Sequence, residues 1–375
     1  MPDIQAVNGV AGASIQAVNG VGVADIQAVN GLDVPSGATT ATAWVGVHLS
    51  REISYATSDL TSWSSYDAFQ GASSPYPGGG VAPYHIVYGK DGSGNARWLA
   101  SLNSETHEIQ YTDDPTNENN WTVVQTYSDN STDIAIRAFV VAWGNNVWMA
   151  AGNSGDTLIK SADGAAWDEV DVSGATNINA GKAIYALISD GAGTWWFAQE
   201  NRIYKSTDNG SSFSLHHTLV DAGGSDPGDI RGFAYTNNTL VALCKSTGDM
   251  FSAASSDTTD WSTETTLSQV SNFGFQTRIA SAGGRVVIAY QTNFWAADVS
   301  GKTITLEHNK VDLNASTHGN ARSIATDGTT WVIGCVDGDV LTSTDTGDSW
   351  TISDTNVAGS NFEMVDVAGN VYLPL

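Results

Sequence analysis

A short phrase that recurs along the chain constrains its fold more than any other feature. It reads Ser, any residue, Asp, any residue, Gly, two further residues and an aromatic, and it occurs in full at 206–213 and 343–350. A version one residue shorter occurs at 161–167, versions without the glycine at 57–63 and 255–261, and a version with an insertion at 112–121. Because most copies are about 40 to 50 residues apart, the phrase predicts a repeat architecture.

We call this phrase the turn box, because its residue types suit a hairpin turn. Asp and Ser side chains accept bonds from turn amides, Gly or Asn supplies a positive φ, and the aromatic packs beneath the turn. We interpret the boxes as structural staples; the alternative is a ligand or metal turn. Their Asp and aromatic residues are Asp59 and Trp63, Asp114 and Trp121, Asp163 and Trp167, Asp208 and Phe213, Asp257 and Trp261, and Asp345 and Trp350.

Short β-branched and aromatic runs between Asp-Gly, Asn-Asn and Gly-Gly turns surround each box. They give four strands per period, the size of a propeller blade. The gap of 89 residues between Trp261 and Trp350 holds two periods, one with a degraded box at 298–301. We therefore predict an all-β fold, a seven-bladed β-propeller of four-stranded antiparallel blades spanning 41–375.

The first blade lacks an inner strand of its own in the sequence. The segment 362–368 near the C-terminus has the pattern of one, so pairing of the two chain ends would close the ring and remove exposed strand edges. Residues 371–375 also resemble a second strand and compete with 43–49 for the same place. The sequence leaves this alternative open.

Composition limits the functional classes. The chain has 40 acidic and 15 basic residues, giving a net charge of −25, which argues against binding to nucleic acid or anionic membranes.

We expect no cofactor. The segments Asp91–Asn95 and Asp221–Asp229 are interpreted as ordinary Asp/Gly turns; the alternative is that they are calcium-binding loops. Cys244 and Cys335 occupy equivalent second strands and read as buried apolar residues, not a disulfide. No signal peptide, long apolar run or transit-like segment is recognisable, so we expect no membrane insertion.

Residues 1–33 differ from the rest of the chain in their sequence repeat, and a linker follows at 34–40. The word Ile-Gln-Ala-Val-Asn-Gly recurs three times with a period of 11 residues, and Asn-Gly is a strong tight-turn signal. With so little apolar bulk the segment cannot bury a core alone, so it reads as a multivalent anchor for a partner or as a flexible leader. The predicted anchor residues are Ile4, Val7, Asn8, Ile15, Val18, Asn19, Ile26, Val29 and Asn30.

Basic residues recur near the start of the predicted inner strands. Five of them are spaced 45, 49, 47 and 44 residues apart, with a histidine at the corresponding place in blade 2. We predict that they surround one mouth of the central channel, where they either bind an anion or pair with local acids and cap carbonyls at the rim; the sequence leaves both interpretations open. They are Arg137, Lys182, Arg231, Arg278, Arg322 and His85. Tyr66, Phe69, Tyr76 and Tyr84 are candidates for stacking on sugar rings or for covering a core edge.

The turn boxes resemble the Asp-box, or bacterial neuraminidase repeat, of sialidase-like β-propellers, over roughly 41–375. The leader resembles short repeats at the N-termini of virion structural proteins of marine tailed bacteriophages. Together these resemblances imply a virion protein whose propeller binds host glycans or neighbouring virion proteins in an oligomeric assembly.

Sialidases hold a carboxylate through three arginines, the first in an Arg-Ile-Pro context, with a Tyr/Glu nucleophile pair and an Asp acid/base. This chain has Arg278-Ile279-Ala280 instead, and we expect no catalytic activity. The alternatives are a sialidase-like glycoside hydrolase and a cellular scaffold propeller like the photosystem II assembly factors.

Overall fold

The computed structural model divides the chain into two units, Met1–Thr42 and Ala43–Leu375. It describes strand pairs within 6–33 and residues 44–48, 52–57, 60–68, 82–103, 109–124, 138–152, 157–172, 175–245, 249–254, 261, 265–267, 278–313, 319–354 and 364–369. Within these residues the only helical segments are 3₁₀ turns at Glu118–Asn120 and Val336–Gly338. None of the described residues forms a helix able to span a membrane.

The first unit contains three strand pairs, one for each 11-residue word. β1 (Ala6–Val7) pairs with β2 (Val10–Ala11), β3 (Ala17–Val18) with β4 (Val21–Gly22), and β5 (Ala28–Val29) with β6 (Leu32–Asp33). Each pair flanks an Asn-Gly dipeptide of the sequence, as expected for a tight turn. Val7, Val18 and Val29 hold the same strand position; Ile4, Asn8, Ile15, Asn19, Ile26 and Asn30 lie outside the described residues.

The second unit is a seven-bladed propeller, as predicted. Blade 1 consists of β34 (Met364–Gly369), β7 (Trp44–His48), β8 (Glu52–Ala56) and β9 (Ser64–Asp67). Blade 2 consists of β10 (Ala82–Lys90), β11 (Ala96–Asn103), β12 (Ile109–Thr112) and β13 (Thr122–Val123), and blade 3 of β14 (Ala138–Gly144), β15 (Val147–Gly152), β16 (Thr157–Ser161) and β17 (Asp168–Asp171). Blade 4 consists of β18 (Ile184–Ser189), β19 (Trp195–Gln199), β20 (Arg202–Ser206) and β21 (Ser214–Thr218).

Blade 5 consists of β22 (Ile230–Thr236), β23 (Thr239–Cys244), β24 (Asp249–Ala254) and β25 (Thr265–Thr266). Blade 6 consists of β26 (Arg278–Ala282), β27 (Arg285–Tyr290), β28 (Asn293–Ser300) and β29 (Thr303–Asp312). Blade 7 consists of β30 (Ala321–Thr326), β31 (Trp331–Cys335), β32 (Val340–Ser343) and β33 (Thr351–Asp354). The first-named strand of each blade contacts its counterpart in the next blade all the way round, so these are the inner strands.

The two ends of the ring are joined within blade 1. The C-terminal strand β34 pairs antiparallel with β7, from Met364 opposite His48 to Gly369 opposite Trp44. The predicted closure is therefore confirmed, and the second-strand place belongs to Trp44–His48. The competing segment 371–375 lies outside the described residues.

The hydrophobic core lies between the blades. Seven buried clusters each combine residues of two consecutive blades, as in the cluster that joins Met149 of blade 3 to Phe197 of blade 4. The box aromatic joins the cluster shared with the preceding blade. This holds for Trp63, Trp121, Trp167, Phe213, Trp261 and Trp350.

Each well-formed box turn is held by its own Ser and Asp. In blade 4 the Asp208 carboxylate accepts bonds from the amides of Ser211 and Ser212, at 3.0 and 2.9 Å. Ser206 donates to the same carboxylate and accepts from the Gly210 amide, at 2.7 and 2.9 Å. Bonds from the hydroxyls of Ser212 and Ser206 lower the pKa of Asp208.

The boxes of Asp163 and Asp345 repeat this pattern, whereas Asp114 caps a looser turn and Asp59 and Asp257 lie outside the described residues. All the hydrogen bonds seen to the carboxylates of Asp114, Asp163, Asp208 and Asp345 come from within the turn. The boxes therefore act as structural elements.

The box glycine is required for two reasons. Gly164, Gly210 and Gly347 have φ of 73°, 75° and 84°, in the left-handed region that favours glycine. A Cβ on Gly210 would also lie 2.6 Å from Met149 Sδ, and one on Gly347 would lie 2.8 Å from Val287 Cγ2. Both neighbours belong to the second strand of the preceding blade, so the glycine lets two blades approach.

We predict that Gly347→Ala lowers the free energy of unfolding by about 2 kcal/mol, because it adds both left-handed strain and overlap with Val287. Urea unfolding measures this. Gly92→Ala is the matched control, since no atom lies within 4 Å of its Cβ position, and its effect should stay within about 0.5 kcal/mol. Equal effects of the two substitutions would contradict the proposed role of the box glycine.

Candidate functional site at the channel mouth

A β-bulge marks the beginning of six inner strands. At each bulge the pairing with the second strand skips one residue, and bulges commonly re-aim a side chain. The skipped residues are Tyr84, Phe139, Tyr185, Arg231, Arg322 and Val365. We call this end of the ring the channel mouth. The bulge residue serves as a common reference for comparing the register positions of side chains in different blades.

The predicted bases do not share one register position. Arg231 and Arg322 are bulge residues, and His85 follows the bulge by one. Lys182 precedes the Tyr185 bulge by three residues and lies before β18. Arg278 begins β26, opposite Ala289, and Arg137 lies outside the described residues.

Arg231 is the most enclosed of these bases. Its side chain is 4% exposed, and Nη2 lies 2.9 Å from an Asp229 carboxylate oxygen. Its guanidinium lies 3.7 Å from the centre of the Tyr185 ring in the adjacent blade, a cation–π contact. Arg231 therefore links blades 4 and 5 at their bulges and pairs with a local acid.

A second group of charges lies at the surface of the same sector. The Lys182 ammonium is 3.5 Å from one Glu200 oxygen, and Arg202 donates to the other. The three side chains are 54%, 25% and 29% exposed, respectively. We call this trio the Glu200 bridge. Sequence reasoning missed Arg202, because it begins a third strand rather than an inner one.

The backbone around the Glu200 bridge is fixed by several hydrogen bonds. Glu200 has a φ of 55°, and its carbonyl accepts from the Ile230 amide of blade 5 at 2.8 Å. The buried Gln199 side chain bonds both the amide and the carbonyl of Asn179, and it donates to the Lys182 carbonyl. The side chains of the bridge are therefore presented from a rigid frame.

The predicted sugar-stacking rings are used for packing where they are described. The Tyr66 hydroxyl donates to the Pro115 carbonyl at 2.7 Å and accepts from the Trp121 indole at 2.9 Å, joining blades 1 and 2. Tyr84 is a partly buried bulge residue, and Phe69 and Tyr76 lie outside the described residues. Every aromatic side chain whose burial is described is at least partly buried.

The two alternative calcium loops are hydrogen-bonded turns. Asp91 accepts from the amides of Ser93 and Asn95, both at 2.8 Å, and Asp221 accepts from the Ser225 amide at 2.7 Å. Across the described part of the chain, no group of three or more His, Cys, Asp or Glu residues is placed to hold a metal ion. Cys244 and Cys335 are buried free thiols.

Blade 1 contains a buried histidine at the second strand of the same mouth. His48 Nε2 lies 2.6 Å from the Ser54 hydroxyl, and both residues are fully buried. Burial lowers the pKa of His48 from 6.5 to about 3. This imidazole is neutral at physiological pH and adds no charge to the mouth.

No protein-family model and no curated protein matches the sequence. Several solved structures share the fold. A 6-phosphogluconolactonase-like protein from Bacteroides uniformis aligns with a TM-score of 0.57 at 11% identity, covering 88% of this chain and 99% of its own.

YCF48 from Cyanidioschyzon merolae and virginiamycin B lyase from Staphylococcus aureus each align with a TM-score of 0.52 at 13% identity, covering 72% of this chain and 84% of their own. The chain is a seven-bladed β-propeller. At these identities the similarity concerns the fold alone.

We predict that Arg231→Met lowers the free energy of unfolding by roughly 1–3 kcal/mol, because it removes the contact with Tyr185 and leaves Asp229 without its ion pair. The matched control is Arg202→Met, which breaks a more exposed pair and leaves Glu200 paired with Lys182, so it should cost about 0.5 kcal/mol. Chemical denaturation of both variants measures the difference. A smaller loss for Arg231→Met than for Arg202→Met would contradict a structural role for Arg231.

Proposed function

We propose that the protein is a non-enzymatic virion structural protein, with residues 1–33 as the anchor, 34–40 as the linker and 41–375 as an Asp-box propeller head. The anchor joins other virion proteins of a tailed bacteriophage. The head presents a surface for host glycans or neighbouring virion proteins. The observation that carries the proposal is the threefold strand pair, repeated once in each 11-residue word.

Three equal units suit multivalent attachment. Each pair contains only two residues per strand, which is too little to form a stable sheet alone. Weak contacts made by three linked copies add through effective concentration. The segment therefore gains stability from a partner, which is what an anchor requires.

The paired charges of the head favour a structural role over a catalytic one. The mouth bases Lys182 and Arg231 are paired with internal acids at 3.5 and 2.9 Å. Such ion pairs stabilise a framework, and a propeller fold by itself implies no particular chemistry. The sequence feature most similar to a sialidase arginine is Arg278, and its Arg278-Ile279-Ala280 context departs from that family's Arg-Ile-Pro motif at the proline.

Deleting residues 1–33 should leave a folded ring that no longer joins particles, because the propeller closes through β34 and β7 without them. Removing one or two words should reduce incorporation stepwise, as expected for linked weak contacts. Quantitative mass spectrometry of purified particles measures incorporation, and circular dichroism checks the ring.

Unchanged incorporation after the full deletion would refute the anchor. Recovery of the intact protein from host cytosol or thylakoid, and not from particles, would favour a cellular scaffold. Turnover of a fluorogenic sialoside that is abolished by Arg278→Ala would establish a hydrolase instead.

A further inference from the structure

The Glu200 bridge differs from the other charged contacts at the channel mouth in its accessibility. Arg231 is almost completely enclosed, whereas Lys182 is 54% exposed and Arg202 is 29% exposed. Two cations from different elements converge on one carboxylate group, one on each oxygen. This is the geometry with which a protein binds a carboxylate from outside.

We infer that Lys182 and Arg202 form a binding site for a carboxylate of an acidic peptide, and that the Glu200 side chain occupies this site in the unbound protein. The inference rests on the proposed function, in which the ring is a binding head. It adds the class of partner, the residues that bind it and the group that it displaces.

Only the Glu200 side chain has to move for the site to open. The Glu200 carbonyl is fixed by Ile230, and the neighbouring Asn201 exchanges hydrogen bonds of 2.8 and 2.9 Å with the Leu219 backbone. The Lys182 amide bonds the Asn179 carbonyl at 3.0 Å, and Arg202 lies in β20 opposite Thr218. Rotation of Glu200 would leave two cations facing one position, which favours an incoming carboxylate.

The surroundings favour a peptide over an acidic saccharide. A sugar carboxylate is attached to a bulky ring, which proteins commonly bind by stacking on an aromatic face. Among the described aromatic residues of this sector, the Tyr185 ring is covered by the Arg231 guanidinium at 3.7 Å, and the Tyr204 ring is buried and stacked on Phe197. Glutamate and aspartate side chains carry carboxylates on flexible stems and need no such face.

The acidity of the whole protein does not prevent such binding. The net charge of −25 repels acidic partners at long range, but salt screens this repulsion beyond about 8 Å under physiological conditions. Contacts within hydrogen-bond distance therefore decide the affinity. The Glu200 carboxylate competes with the incoming carboxylate and keeps the affinity modest. Removing the charge of Glu200 therefore tests the assignment.

The test measures binding of a fluorescent poly-glutamate peptide to the full chain by anisotropy. Combined Lys182→Ala and Arg202→Ala should weaken binding about tenfold, since two charge-assisted contacts are lost. Glu200→Gln should strengthen binding about fivefold, because the amide keeps the shape but no longer competes as an anion. This second variant keeps the test decisive if the first fails to fold.

The matched control removes two bases of blades 3 and 4 that take no part in the Glu200 bridge. Lys160 bonds the Ser211 hydroxyl at 2.8 Å, and Lys205 lies 5.8 Å from the Trp196 ring. Combined Lys160→Ala and Lys205→Ala removes the same formal charge and should leave the affinity unchanged. Equal weakening by this control would show non-specific attraction and overturn the assignment.

Three other outcomes would also overturn it: no peptide binding by either the unmodified protein or Glu200→Gln, equal binding of poly-glutamine, or binding of oligogalacturonate in place of poly-glutamate. Particle incorporation is measured separately with the 1–33 deletion, which leaves Lys182 and Arg202 intact. Failure of the anchor and failure of this binding site are therefore distinguishable.

Discussion

Packing of each blade against the one before it is the constraint on which the rest of the structure depends. The apolar clusters lie between consecutive sheets, and the box aromatics Trp167 and Phe213 belong to the clusters shared with the preceding blade. A blade alone has no core of its own, so each gains its stability from two neighbours. The series must then close on itself, and the pairing of β34 with β7 within blade 1 provides that closure.

The box turn is the local device that makes this packing regular. Ser206 and Asp208 accept from the amides of Gly210, Ser211 and Ser212, so the turn is held by its own side chains. The box glycine then brings the turn against the preceding blade, as Gly347 does at Val287. Blade 6 lacks a box and replaces it with a two-residue turn at Gly301 and Lys302 between longer strands. There Arg285 bonds both Asp298 and Asp348, joining blade 6 to the box of blade 7.

Much of this architecture is predictable from the sequence, because it depends on spacing. The box period gives the blade number, and the surplus strand at the C-terminus gives the closure. The register of the inner strands is not predictable in the same way. One skipped residue at Tyr185 or Arg231 changes which side chains are equivalent, and a bulge leaves no reliable trace in spacing. The bases are therefore regularly spaced along the sequence but do not occupy equivalent register positions in their strands.

The candidate site was harder to predict than the fold for a related reason. The sequence shows that basic residues are scarce in this acidic chain, but it does not show which acidic side chains they pair with. Arg202 lies two positions after its partner Glu200 in the sequence, whereas the bridge to Lys182 forms only through the tertiary structure. The Tyr66 ring likewise reads as a surface aromatic in the sequence, whereas its hydroxyl joins two blades. Whether a side chain is exposed or serves as an inter-blade contact is decided by the neighbouring sheet.

Covalent cross-linking of the ring closure tests the central claim most directly. Val45 and Ala368 are opposite each other in β7 and β34, and directly opposed residues in an antiparallel pair lie about 5 Å apart, within reach of a disulfide. In a background with Cys244→Ser and Cys335→Ser, the pair Val45→Cys and Ala368→Cys should form an intramolecular disulfide on mild oxidation. Because it closes a very long loop, it should raise the free energy of unfolding by about 4 kcal/mol. Absence of the disulfide, or a bond formed only between separate chains, would contradict a ring closed by its own two ends.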